Sequence, residues 1–294
     1  MSDFVPSREG LPTPELIDLK AQMVLAARSL SQPVPGGSGP GKAARMTSDL
    51  SIDEELVLHS IGWEPVELVS GISIHSIPAG VWNWGQGEIS YASAASARSF
   101  ASATDRIHQA CQKVGGQGVV GVHVEWEVHR HHIDVALVGT AVRPVAWTGL
   151  SADPVFVSDL SGRDFALLHT AGWMPVGLAA GASYVYAPRR SASTAMKQKG
   201  QNVELTNFTE AMYASRESAM ERMQASALAL DGTGVVEVKV TEGPMQFAHH
   251  AVGFTAYGTV VRLVADAHRH VGAQMILPMD DPAASFDAAA LRGL

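Results

Sequence analysis

The residues best suited to chemistry are histidines, of which the chain has 12 among 294 residues. The densest group is the segment VHRHHI. Because side chains two residues apart on an extended strand face the same side, His123, His129 and His131 are expected to share one face. Glu125 and Glu127 fall on that same face. Since neutral imidazoles and carboxylates bind zinc, nickel and copper, the pattern predicts a metal site. The alternative is a polar strand face that ends in a solvated turn.

Other reactive or aromatic residues carry weaker signals. Trp82 and Trp84, in the segment VWNWGQG, predict either an apolar ligand or partner site, or packing at a domain or subunit junction. Cys111 is the single cysteine, so it cannot form a disulfide within the chain, and we interpret it as a small buried apolar residue. The sequence contains no G-x-S-x-G, Walker or H-E-x-x-H motif, so no residue is assigned a catalytic role.

The segment VGGQGVVGVHV matches G-x-G-x-x-G through Gly116, Gly118 and Gly121. A dinucleotide-binding loop requires a strand, then the glycines, then a helix whose N-terminus meets the phosphates. Here the predicted order is helix, glycines, strand. The glycines are therefore interpreted as a helix cap and a tight turn, and no cofactor is assigned.

Three pairs of segments indicate a tandem duplication. LHSIGWEPVELVSG matches LHTAGWMPVGLAAG 110 positions later, GQGVVGVHV matches GTGVVEVKV at a distance of 116, and VGTAVR matches YGTVVR at 119. The distance grows only between segments, as expected when insertions fall between structural elements. The predicted domains are residues 49–147 and 148–265.

Each half reads as α-β-α-β-β, with helices on one face of a mainly antiparallel sheet, which is an α+β fold. In the first half we expect helices at about 53–60 and 91–114, and strands at about 66–77, 119–128 and 133–142. In the second half we expect helices at about 163–170 and 205–230, and strands at about 176–187, 235–241 and 249–261.

The long Ala-rich helix, GGQGVVGVHVEWEV, the hairpin and the closing ALVGTAVR resemble the small bacterial YbjQ-like proteins, described as "putative heavy-metal-binding". The second half resembles them through DGTGVVEVKV and AYGTVVR. The resemblance covers roughly Leu56–Pro144 and Phe165–Leu263. Members of that family form rings of five subunits, so the resemblance implies a homo-oligomer, a pentamer of two-domain chains, with its ten domains in either one wide ring or stacked rings. It implies no reaction.

Charge and hydropathy exclude several partners. The net charge is −8 without a dense basic block, so nucleic acid is not an expected partner. Thr170–Pro188 carries no charge over 19 residues, but its glycines and its charged counterpart in the first half favour a buried strand over a membrane span. The N-terminus lacks a secretory signal pattern, which favours a cytoplasmic protein.

Both ends differ from the repeat. Residues 1–30 predict an amphipathic helix, followed by a flexible Pro/Gly/Ser linker at 31–48, and residues 266–294 form a tail. A tethered helix is typical of an element that docks on a partner protein, with packing on the body of the protein as the alternative. Its apolar face contains the predicted docking residues Leu16, Leu19, Met23 and Leu30.

Taken together, these patterns favour a non-enzymatic, ring-forming scaffold with a docking helix. The alternatives are a heavy-metal-binding protein that uses its histidines, and a small-ligand-binding or enzymatic oligomer.

Overall fold

A computed structural model describes residues 47–77, 87–146, 154–197, 200–244 and 250–271. The predicted N-terminal helix with its docking residues, most of the predicted linker, and Trp82 and Trp84 lie outside these ranges. Among the described helices, none combines the length and apolar character needed to cross a membrane.

The first half contains two helices and three long strands. Its elements are α1 (Ile52–Ser60), β1 (Trp63–Ser76), β2 (Gly87–Glu88), α2 (Ser90–Lys113), β3 (Gly118–Val128) and β4 (His132–Pro144).

The described part of the second half repeats the two helices and three long strands in the same order and adds the short elements β5 (Phe156–Val157) and α4 (Ala192–Lys197). Its elements are, in order, β5, α3 (Gly162–Thr170), β6 (Trp173–Tyr186), α4, α5 (Thr206–Ala229), β7 (Gly234–Pro244) and β8 (Ala251–Leu263).

Two four-stranded sheets organise these elements, with strand orders β1-β4-β3-β5 and β2-β6-β8-β7. Among the described strands, the long ones pair antiparallel, and β5 alone runs parallel to its neighbour β3. The predicted α+β class is therefore confirmed. The two short strands were not predicted: β2 leaves the first half to extend the second sheet, and β5 precedes the second half but extends the first sheet.

The two nine-residue helices, α1 and α3, each begin at a serine cap. Ser51 opens α1 in a capping box with Glu54, whose Oε2 accepts from the Ser51 backbone N–H at 2.8 Å. Ser161 opens α3 by accepting from the Asp164 backbone N–H at 3.1 Å. The caps fix where each chain segment leaves the sheet edge and enters its helix.

The glycines of the G-x-G-x-x-G segment lie between a helix and a strand, as predicted. Helix α2 ends at Lys113, Gly115 turns the chain with φ +77°, and β3 begins at Gly118. Gly121 sits at an irregularity in the pairing of β3 with β4 and has φ +64°. This order places no helix N-terminus at the glycines.

Each long helix packs against its own sheet at a glycine. A methyl group on Gly71 would collide with the Ala103 carbonyl oxygen of α2, and one on Gly181 would collide with the Ala219 carbonyl oxygen of α5. The absence of a side chain lets helix and strand backbones approach closely.

We expect Gly71→Ala and Gly181→Ala each to lower the free energy of unfolding by about 2–3 kcal/mol, since the helix must move away from its sheet. Urea denaturation checks this. Gly243→Ala is the matched control, because a methyl group there meets no atom within 4 Å. Equal stability of all three variants would contradict the close approach.

Candidate functional site

The hairpin between β3 and β4 ends in a tight turn. Strand β3 stops at Val128 and β4 starts at His132, and the His129 backbone N–H donates to the His132 carbonyl oxygen at 2.9 Å. Only Arg130 and His131 lie inside this turn. Because the chain reverses here, the strand alternation predicted beyond Val128 does not continue to His131. The side chains of His129 and His132 instead meet across the hairpin.

Four polar side chains converge at this hairpin tip. The rings of His129 and His132 stack with centroids 4.5 Å apart. His129 Nε2 lies 3.1 Å from Glu127 Oε2 and 3.6 Å from Asp134 Oδ2, and His132 Nε2 lies 3.6 Å from Asp134 Oδ1. One ligand atom from each of His129, His132 and Asp134 falls within 4.8 Å of the others. Two imidazoles and a carboxylate so placed can bind one borderline metal ion.

The structure brings only part of the predicted histidine set together. His129 belongs to the hairpin tip cluster, whereas His131 lies in the turn and His123 lies further along β3. His123, Glu125 and Glu127 do share the exposed face of β3, as the alternation predicts. His132 and Asp134 were missed because they reach the cluster from the opposite strand. Assuming a two-residue turn within the VHRHHI segment would have placed both residues opposite His129 and Glu127.

A charged contact joins the two halves. Arg222 of α5 donates from Nη1 and Nη2 to Oε1 and Oε2 of Glu88, at 2.5 and 2.8 Å. The hydroxyls of Ser93 and Ser183 donate to Glu88 Oε1 at 2.6 and 3.1 Å. The Arg222 hydrogen bonds are the main cause that holds the pKa of Glu88 below its usual value. Glu88 thus stays ionised while it is partly shielded from water.

Helix α2 also covers the face of β6 that α5 leaves open. Leu178, Ala182 and Tyr184 of β6 belong to the same buried cluster as the first-half core. Tyr184 Oη and Ser96 Oγ form a buried hydrogen bond of 2.7 Å, and burial raises the pKa of Tyr184 to about 12. The phenol is therefore neutral and serves as an uncharged bond between the halves.

A short motif before each capped helix repeats in the sequence and in space. Asp159 N–H donates to the Thr259 hydroxyl at 3.0 Å, and Asp49 N–H donates to the Thr140 hydroxyl at the same distance. Both aspartates lie in an SDLS segment, at 48–51 and 158–161. Sequence analysis missed this repeat, although its separation of 110 positions equals that of the first matched pair of segments.

Cys111 is fully buried, and burial raises the pKa of its thiol to about 12. The thiol is protonated at neutral pH and lies against the first-half core. This environment agrees with the packing role predicted for the residue.

Comparison with known proteins identifies relatives of the chain. Residues 189–264 match the model of the YbjQ family, described as "Putative heavy-metal-binding", which confirms the resemblance in the second half. A curated protein of Mycobacterium tuberculosis, named encapsulin nanocompartment protein Rv1762c, is 33% identical over 243 residues. The match covers 80% of this chain and 92% of the relative. The chain therefore belongs to the same family as this mycobacterial protein. No solved structure matches.

We expect Glu88→Gln to lower the free energy of unfolding at pH 7 by on the order of 1 kcal/mol, because the ion pair is only partly shielded from water. The folded pKa of Glu88 lies below its ordinary 4.5, so its contribution is full above that pH. The contribution is lost as the pH falls through the folded pKa. Urea denaturation of both proteins at pH 7 and pH 3 checks this, and a stability difference that grows at pH 3 would contradict it.

Proposed function

We propose that the chain is a non-enzymatic structural protein whose copies assemble into closed, ring-containing particles. The family relationship carries this proposal, because the mycobacterial relative bears the name of a nanocompartment protein and matches most of the chain. In the same proposal, residues 1–30 are a tethered helix that docks a partner protein, and the assembly is located in the cytoplasm. Duplication of one module, spanning 49–147 and 148–265, is its evolutionary origin.

The surface of the second half supports self-association. Strand β7 is an edge of its sheet, and its Val238 and Val240 are exposed apolar residues on that strand. Open strand edges with apolar side chains pair readily with other chains, so proteins cover them. Another copy of the same chain can cover the edge, so no different protein is needed.

The common strand order of the two halves also supports repetition. In each sheet the long strands lie in the same relative order, β1-β4-β3 and β6-β8-β7. If two equivalent domains alternate around a ring, five chains place ten domains in it. This is the pentamer of two-domain chains that the YbjQ resemblance implies.

We expect the purified protein at micromolar concentration to elute as one species several times heavier than the 31.0 kDa chain. Light scattering coupled to gel filtration measures the mass, and electron micrographs show whether the particle has a rotational axis. A chain that lacks residues 1–45 is the control. It should form an assembly with the same number of chains if the helix only docks a partner. A wild-type monomer at this concentration would contradict the proposal.

A second candidate function is metal binding at the hairpin tip cluster of His129, His132 and Asp134. The convergence of three ligand atoms within 4.8 Å favours it. Glu127, hydrogen-bonded to His129 at 3.1 Å, would orient that imidazole or provide a fourth ligand. Zinc, nickel and copper suit this mixed set of nitrogen and oxygen ligands.

Equilibrium dialysis against zinc, nickel and copper tests the metal site. We expect His129→Ala with His132→Ala to abolish saturable uptake, because both nitrogen ligands are removed. His131→Ala is the matched control, since His131 is the neighbouring histidine outside the cluster and its loss should leave uptake unchanged. Uptake that depends on His131 and not on His132 would return the site to the arrangement expected from strand alternation.

A further inference from the structure

The contact between the two halves joins two different surfaces. The first half contributes the edge of β3, Glu88 and the outer side of α2. The second half contributes the segment 158–160, the outer face of β6 and Arg222. Since each half carries the same fold, each also carries the surface that it does not use in this contact.

The strand edge shows this most directly. The backbone N–H groups of Gly121 and Val122 donate to the carbonyl oxygens of Leu160 and Ser158, at 2.7 and 3.0 Å. The Ser158 N–H donates back to the Val119 carbonyl oxygen at 2.9 Å. Backbone hydrogen bonds of the SDLS segment of the second half thus continue the pairing of β5 with β3.

Strand β7 has the shape needed to accept the same addition. Glu237 matches Gly121 in the repeat and adopts φ +52°, a left-handed conformation that is uncommon for a residue with a side chain. The pairing of β7 with β8 is irregular between Val236 and Lys239, as that of β3 with β4 is beside Gly121. The bulge is therefore preserved without a glycine.

The apolar side chains beside the bulge differ only in what covers them. Val122 and Val124 on β3 are 3% and 9% exposed, whereas their counterparts Val238 and Val240 on β7 are 41% and 55% exposed. The contact between the halves covers the β3 edge. No described residue provides an equivalent cover for these β7 valines.

The two residues of the ion pair between the halves also have counterparts, and these counterparts are not paired with each other. Glu204 matches Glu88, and it accepts from the Thr209 hydroxyl at 2.8 Å as Glu88 accepts from Ser93. Arg106 matches Arg222, and each donates to a carbonyl oxygen of the strand beneath its helix, that of Ile72 for Arg106. Glu204 and Arg106 are both exposed, one in each half.

Tyr184 and the α2 surface that covers it also have counterparts, which are an exposed side chain and a groove. Tyr184, which α2 covers, is 1% exposed, and its counterpart Ile74 on β1 is 62% exposed. The surface of α5 that corresponds to the Tyr184-binding side of α2 is an open groove of about 620 Å³. Its lining includes Leu205, Phe208 and Met212. The groove has the apolar character that a strand face with Ile74 requires.

We infer that copies of the chain bind head to tail by repeating the contact that joins the two halves. The backbone of Ser48–Leu50 of one copy pairs with β7 of the next, Arg106 pairs with Glu204, and Ile74 enters the groove on α5. The inference rests on the proposed self-assembly and specifies its interface. Such a contact is heterologous, so it closes into a ring when its rotation divides a full turn.

Two sets of substitutions test the direction of the contact. The head is the surface of the first half that carries Arg106 and Ile74, and the head variant carries Arg106→Glu and Ile74→Glu. The tail is the surface of the second half that carries Glu204 and Val238, and the tail variant carries Glu204→Arg and Val238→Glu. Each alone should lose assembly and show the 31.0 kDa mass of one chain by native mass spectrometry. Mixed in equal amounts, they should form a dimer with one chain of each kind, because one intact head and one intact tail remain. The mixture also proves that both variants are folded.

The charge exchange is the rescue control. Arg106→Glu with Glu204→Arg in one chain restores opposite charges at every contact, so assembly should return relative to either single reversal. If the wild-type chain assembles and the head and tail variants form assemblies of the same mass, this interface is wrong and the proposed function stands. If the wild-type chain is a monomer, both fail. Variants that stay monomeric when mixed would also overturn the interface.

Discussion

The structure depends on how its sheet edges obtain backbone hydrogen bonds. An edge strand presents unpaired N–H and C=O groups whose burial without partners is costly. The two halves meet this constraint by exchanging short strands, β5 onto β3 and β2 onto β6. The exchange orders the segments that lead into the capped helix α3 and the long helix α2. It also brings Glu88 to Arg222 and Ser96 to Tyr184. The charged and apolar parts of the contact therefore follow from strand pairing.

Much of the fold could be predicted because the same pattern of segments occurs twice in the sequence. The long helices and strands begin and end within a few residues of the predicted bounds, since hydrophobic periodicity and Gly or Pro signals mark both copies. The strands β2 and β5 could not be predicted, because two residues carry no periodicity. Their pairing is set by tertiary contact with the other half. The repeated SDLS segment was the local sign that something ordered precedes each short helix.

The hairpin tip shows a different limit of sequence reasoning. Alternation correctly placed His123, Glu125 and Glu127 on one face of β3, because that rule holds for any continuous strand. It failed at His131 because the chain turns after His129, and a turn brings residues of opposite strands together. The ligand set of His129, His132 and Asp134 is a cross-strand arrangement. Such a set depends on hairpin register, which turn length determines.

The two halves have several residues of the contact in common and differ at the hairpin tip. Glutamates precede both long helices, and an arginine occupies the same position in each, as Arg106 and Arg222. The second copy has TEGPMQF where the first has the histidine-rich hairpin. The inferred head-to-tail contact would use these residues in both halves, once within the chain and once between chains. The inferred contact would give a reason for the left-handed conformation of Glu237, since the β7 edge would then have to match the shape of the β3 edge.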